Sequence, residues 1–204
     1  MNTRAVLLSF LIAATLATSA HADEGVPRHW IARIGVHPID PKPTNHSEFS
    51  VDNASGLSLG APYLLTKHWA VELFAAFPAG FDIHDADDTR AARFTMVPSS
   101  ATLQYHITDS SGIFRAYAGA GVGYSNLSGE QTKATLSGQT LALDDSVGLA
   151  AAIGLDMDLG SKWFVNIDAR WMDIDSSMNI DGMPRGTLEL DPFMFGLSIG
   201  RRLR

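Results

Sequence analysis

The sequence predicts an all-β protein, an eight-stranded antiparallel up-and-down transmembrane β-barrel. Three observations support this fold. Short segments alternate between apolar residues and small or polar residues, as strands with two different faces do. The connections between these segments are alternately long and short along the chain. Aromatic residues stand at both ends of several segments, where membrane strands cross the two interfaces.

The first element is an export signal over residues 1–22. Arg4 supplies a positive start, Ala5–Thr18 is a continuous small or apolar stretch, and Ala20-His21-Ala22 is a small-x-small cleavage site. A retained membrane anchor is the alternative, but the stretch is short for a span and no second apolar run follows it. We therefore expect cleavage after Ala22, and a barrel domain that comprises residues 23–204.

The composition narrows the function classes. Hydrophobic residues make up 46% of the 204-residue chain and charged residues only 18%, yet no run of 18 apolar residues occurs. The absence of cysteine excludes disulfides and thiolate chemistry. A net charge of −7 offers no basic surface for nucleic acid. No nucleotide-binding motif is present, so we expect neither a cofactor nor a nucleic-acid partner.

Eight strands are predicted in chain order. They cover residues 29–37, 54–64, 69–78, 97–107, 113–124, 146–158, 163–175 and 187–201. The seven connections between them contain 16, 4, 18, 5, 21, 4 and 11 residues. All four long connections therefore lie at one end, which is the layout of small outer-membrane barrels with external loops and short periplasmic turns. A soluble sandwich has little reason to collect every long loop at one end.

The alternation also indicates which face meets lipid. In 69–77, 147–157 and 163–171 the large apolar residues hold the odd positions, and the even positions are mostly small or polar. The segment 97–107 follows the same rule apart from Ser99. Aromatic residues mark both ends of the strands: Trp30, Tyr63, Trp69, Tyr105 and Trp163 at the periplasmic end, and Phe77, Tyr124 and Trp171 at the external end. Aromatic residues that merely filled a soluble core would not be placed in this way.

The inward positions differ with height in the barrel. The periplasmic half is predicted to hold Arg33, Glu72, Gln104, Arg115, Asp156, Asn166 and Asp168, with Arg170 near mid-height. Unpaired buried charge is costly, so residues of both signs should pair into a plug that closes the lumen. This plug makes a water-filled pore the least favoured function of the lumen.

Above the plug the inward residues are mostly small or apolar. The residues predicted to line a pocket there are Phe74, Tyr117, Gly119, Gly121 and Met194. One interpretation is a cavity for a small apolar molecule that enters from outside. The other is that the glycines relieve crowding in a narrow, strongly curved barrel. The residues alone leave both interpretations open.

These segments resemble the OmpW/AlkL family of outer-membrane proteins. The resemblance is carried by WIARIGVHPIDPK (30–42), LTKHWAVELFAAFP (65–78), FRAYAGAGVGYS (114–125), LALDDSVGLAAAIGLDMDLGSKWFVNIDARWMDIDSSMNIDG (141–182) and LDPFMFGLSIGRRL (190–203). It implies an eight-stranded barrel in the outer membrane of a Gram-negative bacterium. It also implies passive uptake of small hydrophobic molecules, with a channel blocked toward the periplasm and an exit sideways into the bilayer. A structural or receptor barrel with an inert lumen is the alternative.

A sideways exit needs a break in strand pairing, and proline removes a ladder donor. Pro62 interrupts the second predicted strand, whereas Pro78 ends the third and Pro98 begins the fourth. We therefore consider these three prolines candidates for a lateral opening. Alternatively, Pro78 and Pro98 simply terminate their strands.

Other signals are weaker. The acidic stretch His84–Asp88 lacks the glycine turn and final glutamate of a calcium loop, so no metal site is predicted. His106 with Ser100 and Thr102 is the nearest catalytic candidate, but it lies at the periplasmic rim, and we predict no enzyme. Expected partners are outer-membrane lipid, lipopolysaccharide, small apolar solutes and the barrel-insertion machinery, and we expect a monomer. The sequence ends in Arg204 rather than in the usual aromatic residue, so we expect insertion either to rely on Phe193 and Phe195 or to proceed less efficiently.

Overall fold

The computed structural model describes residues 29–42 and 48–203. The predicted export signal lies outside these residues and stays a prediction. No helix in the described part of the chain is long and apolar enough to cross a membrane. A single 3₁₀ turn over Ala134–Leu136 is the helical element among the described residues.

Thirteen strands make up the described structure. They are β1 (Ile31–Asp40), β2 (Phe49–Val51), β3 (Ala54–Leu64), β4 (Trp69–Ala76), β5 (Ala79–Asp85), β6 (Arg90–Thr108), β7 (Phe114–Thr132), β8 (Leu141–Leu143), β9 (Ser146–Gly160), β10 (Trp163–Met172), β11 (Asp175–Ile180), β12 (Met183–Glu189) and β13 (Phe193–Arg202).

Eight of these strands close into the predicted antiparallel barrel. Each pairs with its neighbour in the order β1, β3, β4, β6, β7, β9, β10 and β13, and β13 pairs back to β1. The closing seam is in register at Ile34 opposite Ile199. Every strand of the wall therefore has a hydrogen-bonded neighbour on each side over most of its length, as a membrane barrel requires.

The lipid-facing and inward-facing sets are those that the alternation predicts. Every second residue of β1 is buried from Ile31 onward, while Ile34 and Val36 are exposed. The outward side chains of the later strands include Ile153 and Leu197, each 61% exposed. Large apolar side chains that are exposed around a closed barrel indicate that the outer surface faces the lipid bilayer.

The aromatic girdle at the turn end is also present. Trp30 packs on Tyr63 with ring centroids 4.9 Å apart, and Trp69 meets Tyr105 at 5.0 Å. These rings cap neighbouring strands at the level of the short turns, where amphipathic rings prefer the headgroup region.

The external connections contain more strand than predicted. Residues 79–96 and 125–143 were expected to be loops, but β5 and the upper halves of β6 and β7 extend the sheet beyond the barrel. The last predicted strand, 187–201, starts instead at Phe193, because Thr187–Glu189 pairs with β11 in an external hairpin. The physical reason is apolar burial outside the bilayer, since Phe81, Phe94 and Met96 are fully buried there.

These external strands enclose the main apolar core. The cluster starts in the upper lumen and continues into the external sheets. Its buried members are Ile39, Phe74, Ala76, Ala79, Phe81, Ile83, Ala92, Phe94, Met96, Leu127, Leu141, Leu143, Ala150, Met172, Ile174, Met178, Ile180, Leu188, Leu190 and Met194. Below it lies a polar layer, and a second, smaller buried apolar cluster of Ile31, Leu64, Ala70 and Phe164 lies at the periplasmic end.

Candidate functional site

Glu72 of β4 is the centre of a hydrogen-bonded network that fills the lower lumen. Its carboxylate is completely buried. Arg170 of β10 donates to both oxygens, at 2.8 and 3.1 Å. Arg33 of β1 donates at 3.0 Å and Gln104 of β6 at 2.6 Å. Four donated bonds from three strands therefore offset the desolvation of this one charge.

Arg33 connects this centre to a second carboxylate. Its Nη2 donates to both oxygens of Asp156 on β9, at 3.0 and 3.1 Å. Asn166 on β10 lies directly opposite Asp156 in register and donates to it at 2.8 Å. The hydroxyl oxygen of Tyr117 lies 3.2 Å from Arg33 and 3.3 Å from Asn166. Arg33 thus connects the cross-strand pair of Asp156 and Asn166 to Glu72 across the lumen.

A third carboxylate completes the network on the other side. Asp168 accepts a hydrogen bond from the Nε of Arg170 at 2.5 Å and faces the Nε2 of His37 at 3.2 Å. The other ring nitrogen of His37 lies 2.7 Å from the hydroxyl of Ser58.

This Ser58–His37–Asp168 chain was not found from the sequence, because its members lie on β3, β1 and β10. The register between neighbouring strands is the information that brings these residues together. Ser58 lies opposite Gly35, so its side chain is on the same face as that of His37 two residues further along β1. Register arguments across three strands require the closed sheet, which periodicity along one strand does not supply.

Seven of the eight residues predicted as a plug belong to this hydrogen-bonded network. The eighth, Arg115, is half-buried at its periplasmic edge, where its Nε lies 3.4 Å from Thr108 and its strand position is opposite Asp156. The eight residues carry three guanidinium groups and three carboxylates. The hydrogen-bonded seven alone hold two guanidinium groups and three carboxylates, and Arg115 at the edge supplies the third positive charge.

His106, the catalytic candidate at the periplasmic rim, also contacts this network. Its Nε2 lies 3.2 Å from Gln104, and its ring stacks on Tyr117 at 5.2 Å.

The network meets the apolar core at Phe74. The guanidinium carbon of Arg170 lies 3.9 Å from the centre of the Phe74 ring, and His37 meets the same ring edge-on at 5.1 Å. Phe74 and Met194, both predicted to line a pocket, belong to the apolar cluster above the charges. Tyr117, predicted beside them, lies among the charges instead.

The two predicted pocket glycines stand where neighbouring chain comes close. A Cβ on Gly119 would lie 2.7 Å from the side chain of Gln104, and a Cβ on Gly121 would overlap the carbonyl oxygen of Ala101. Space at these two positions is therefore already taken by β6. This geometry favours the interpretation that these glycines relieve crowding, and their role in a pocket stays a prediction.

The three prolines occupy different places in the wall. Pro62 lies inside β3 opposite Glu72, at the height of the charged network. Pro78 separates β4 from β5, so the prediction that it ends a strand agrees with the structure. Pro98 does not begin a strand as predicted, since β6 starts at Arg90 and Pro98 lies in its interior opposite Ser125.

Strand pairing in the wall is interrupted beside Pro78. The ladder between β3 and β4 ends at Ser58 opposite Ala76, followed by one bond from Phe77 to Leu57 at 2.8 Å. The next bond on that side joins Asp52 to Asp82 at 3.1 Å. Between these bonds the described parts of β3 and β5 form no ladder. Gly56 and Ala79 face each other across this interval, which we call the β3–β5 gap.

An acidic group lies outside the barrel. Asp173, Asp175 and Asp191 bring one carboxylate oxygen each to within 4.8 Å of one another. Lys42 binds Glu189 and lies 3.2 Å from Asp191, so part of this negative charge is compensated. Burial and the charges of Asp191 and Asp173 raise the pKa of Asp175 above its ordinary value.

Comparisons with known proteins match this architecture. The OmpW family model matches residues 33–203. Outer membrane protein W of Escherichia coli (strain K12) is 32% identical over 160 residues, which cover 76% of each chain. The dibenzothiophene metabolism operon protein PahQ of Pseudomonas aeruginosa is 26% identical over 166 residues, covering 78% of this chain and 76% of that protein.

A solved structure agrees at the level of the whole fold. The crystal structure of the outer membrane protein OprG from Pseudomonas aeruginosa aligns with a TM-score of 0.75 and 25% identity, covering 88% of this chain and 97% of that chain. A closed eight-stranded wall, a lipid-facing apolar band and a family match over most of the sequence lead to one assignment. The chain belongs to the OmpW family of outer-membrane proteins of Gram-negative bacteria.

Proposed function

We propose that this barrel mediates passive uptake of small hydrophobic molecules, which enter from outside and leave sideways into the bilayer. The observation that carries the proposal is the division of the lumen at Phe74. Above this ring the inward residues are mostly apolar, and directly below it they form an ionic network. An apolar solute gains nothing by crossing such a network, because its charged groups would have to lose their partners.

The charged plug blocks the axial route in this proposal. Glu72, Arg33 and Arg170 are each no more than 4% exposed. Their bonds connect β1, β4, β9 and β10 across the lumen. An eight-stranded barrel has an interior only wide enough for side chains or one small ligand. With the network in place, a solute that reaches Phe74 has to leave through the wall.

The β3–β5 gap is the exit in this proposal. It lies at the external end of β3 and β4, next to buried apolar residues such as Ala79 and Phe81. Its backbone lacks the ladder that closes the wall elsewhere. The name of PahQ places that relative in an operon for the metabolism of dibenzothiophene, an apolar aromatic compound. That name is consistent with an apolar solute class for this chain.

Uptake by cells tests the proposal directly. Initial uptake of a small apolar probe and a small polar probe is compared in cells that lack the protein and in cells that carry it. Faster entry of the apolar probe alone is expected. Equal acceleration of both probes would contradict the sealed plug, and no acceleration of either, with insertion verified, would contradict transport.

A disulfide across the β3–β5 gap tests the exit. An ideal Cβ on Gly56 lies 4.0 Å from the Cβ of Ala79, which is within the range that a disulfide spans. The chain has no cysteine, so Gly56→Cys with Ala79→Cys introduces a single pair. Oxidation should abolish apolar uptake and reduction should restore it, while each single cysteine variant remains active under both conditions. Unchanged uptake in the oxidised double variant would exclude this exit.

A structural or receptor barrel with an inert lumen is the second candidate. The close packing at Gly119 and Gly121 favours it, because it leaves little free volume at those heights. This alternative predicts no uptake of either probe. It also predicts no effect of the disulfide across the β3–β5 gap.

We assign the Ser58–His37–Asp168 chain to the plug and do not regard it as a hydrolytic site. Its three residues are at most 7% exposed, and Asp168 is also held by Arg170. A hydrolytic serine must meet its substrate, which such burial opposes. Ser58→Ala should therefore leave apolar uptake intact.

A further inference from the structure

Arg201 is a cation on the lipid-facing side of the barrel wall. The outward residues of β13 are Phe193, Phe195, Leu197 and Ile199, each exposed, and Arg201 follows in the same alternation. The neighbouring Arg202 faces the other way and is bound to Asp158. Two consecutive arginines thus lie on opposite faces at the turn end of the barrel, where the membrane meets the periplasm.

The surroundings of Arg201 leave its charge uncompensated. Its guanidinium carbon lies 5.3 Å from the centre of the Trp163 ring, and it forms no ion pair with any residue of 29–42 or 48–203. On its other side the paired residue is the small Ala32. Lys162, an exposed second cation, stands next to Trp163 in the adjoining turn. This corner therefore presents two cations to the headgroup level of the inner leaflet.

An apolar groove begins directly above this corner. It has a volume of about 380 Å³ and is lined by the outward side chains of β3, β1, β13 and β10, including Ile34, Val165 and Ile199. In register, Val165, Ile199 and Ile34 form the outward row next to the one that holds Trp163, Arg201 and Ala32. Successive outward rows are about 7 Å apart along a strand. The groove therefore starts one such step from the guanidinium.

A second groove adjoins the first further up the wall. Its volume is about 470 Å³, and Ile153, Ile167 and Phe195 line it on the lipid side of β9, β10 and β13. The two grooves meet where Gly196 of the second is followed by Leu197 of the first. Inward Gly154 and Gly196 form part of the floor of the second groove, and Tyr117 and Asp168 of the ionic network also border it there.

We propose that this corner binds an anionic phospholipid of the periplasmic leaflet, with its phosphate at Arg201 and its two acyl chains in the adjoining grooves. Charge complementarity selects the headgroup, because a cation with no carboxylate partner within 29–42 or 48–203 faces the level of the phosphates. One largely apolar groove starts one row from that cation and a second adjoins it further up the wall, and together they offer space for the two chains of a glycerophospholipid. Arg201 and Trp163 together supply the mixed cationic and aromatic contact typical of the interface.

Fluorescence quenching of Trp163 by brominated lipid tests the site in the intact barrel. Trp30, Trp69 and Trp171 are replaced by phenylalanine, and the barrel is reconstituted in vesicles that contain phosphatidylglycerol or phosphatidylcholine brominated near the headgroup. The measured quantity is the relative association of the two lipids with the protein. The charge of Arg201 should by itself contribute about a fivefold preference for the anionic lipid.

Charge variants at the periplasmic rim distinguish binding at Arg201 from a general attraction of anionic lipid to the cations of the rim. Arg201→Gln should lower the preference about fivefold, leaving only the contribution of Lys162, and Arg201→Lys should retain most of it. Lys67→Gln is the matched control, since Lys67 is an exposed cation in the β3–β4 turn at the same rim. It should leave the preference unchanged. A ratio near one in the unsubstituted chain, an unaffected Arg201→Gln variant, or an equal loss in Lys67→Gln would each overturn the proposal.

Discussion

The guanidinium carbon of Arg170 lies 3.9 Å from the centre of the Phe74 ring, while the guanidinium nitrogens bind Glu72 and Asp168. A single side chain therefore belongs both to the ionic network and to the apolar core above it. A desolvated cation–π contact contributes about 2 kcal/mol. It also allows a charged layer to end against an apolar one without an unpaired group between them.

Phe74→Ala should therefore destabilise the folded barrel by about 3–5 kcal/mol, the range for buried phenylalanine truncation. The lost stability has two sources, the cavity left in the apolar core and the missing cation–π contact with Arg170. Phe77→Ala is the matched control, because Phe77 is 47% exposed toward lipid. Reversible urea unfolding in vesicles measures both variants. Similar losses at the two positions would contradict the assigned boundary at Phe74.

Glu72→Gln should cost about 3–5 kcal/mol, because it leaves Arg33 and Arg170 without the charge that both share. The double variant Glu72→Met with Arg170→Met should be less destabilised than the sum of its single variants. A thermodynamic cycle from urea unfolding gives the coupling between the two positions. Additive losses would mean that the buried ion pair is not the source of the effect.

The fold could be predicted from the sequence because the bilayer imposes its periodicity on every wall strand. In β10, lipid selects Trp163, Val165 and Ile167 on one face, and the lumen selects Asn166 and Asp168 on the other. The external sheets were missed because this argument ends at the membrane surface. In β5 and the upper part of β6, the apolar residues face an enclosed core instead.

The sequence predicted which residues belong to the ionic network better than it predicted how they are arranged. Inward parity selected Arg33, Glu72, Asp156 and Asp168, and the cost of buried charge required that they pair. Parity along single strands could not place Tyr117 among them, because side-chain length and register across the barrel decide where its hydroxyl lies. It likewise could not show that β6 already occupies the space beside Gly121.

Two glycines on one strand distinguish a hollow lumen from a crowded one. Gly121→Ala should destabilise the barrel by about 1–3 kcal/mol, the usual cost of overpacking, because its Cβ would overlap the carbonyl of Ala101 in β6. Gly123→Ala should be tolerated, since the nearest atom to its Cβ is the sulfur of Met172 at 3.5 Å. Urea unfolding of the two variants makes the comparison. Equal tolerance of alanine at both positions would support free space beside Gly121.

The external hairpin of β11 and β12 should become more stable as the medium is acidified. Burial, with the negative charges of Asp191, Asp173 and Glu189, raises the pKa of Asp175 above its ordinary value of 3.8. The folded hairpin therefore binds this proton more readily than the unfolded chain does. Its stability rises as the pH falls through the raised pKa, and the gain is complete below about 3.8.

Hydrogen exchange of the β11 and β12 amides measures this effect against pH, after correction for the intrinsic exchange rate. Asp175→Asn, which removes the charge, should raise protection at neutral pH and flatten the pH dependence. Asp109→Asn in the periplasmic turn is the control, because the pKa of Asp109 is shifted in the opposite direction. Hydrogen bonds from Ser111 and Phe114 lower the pKa of Asp109, so this substitution should loosen its own turn and leave the hairpin unchanged. Protection of β11 that falls on acidification would show that Asp175 stabilises the hairpin in its charged form.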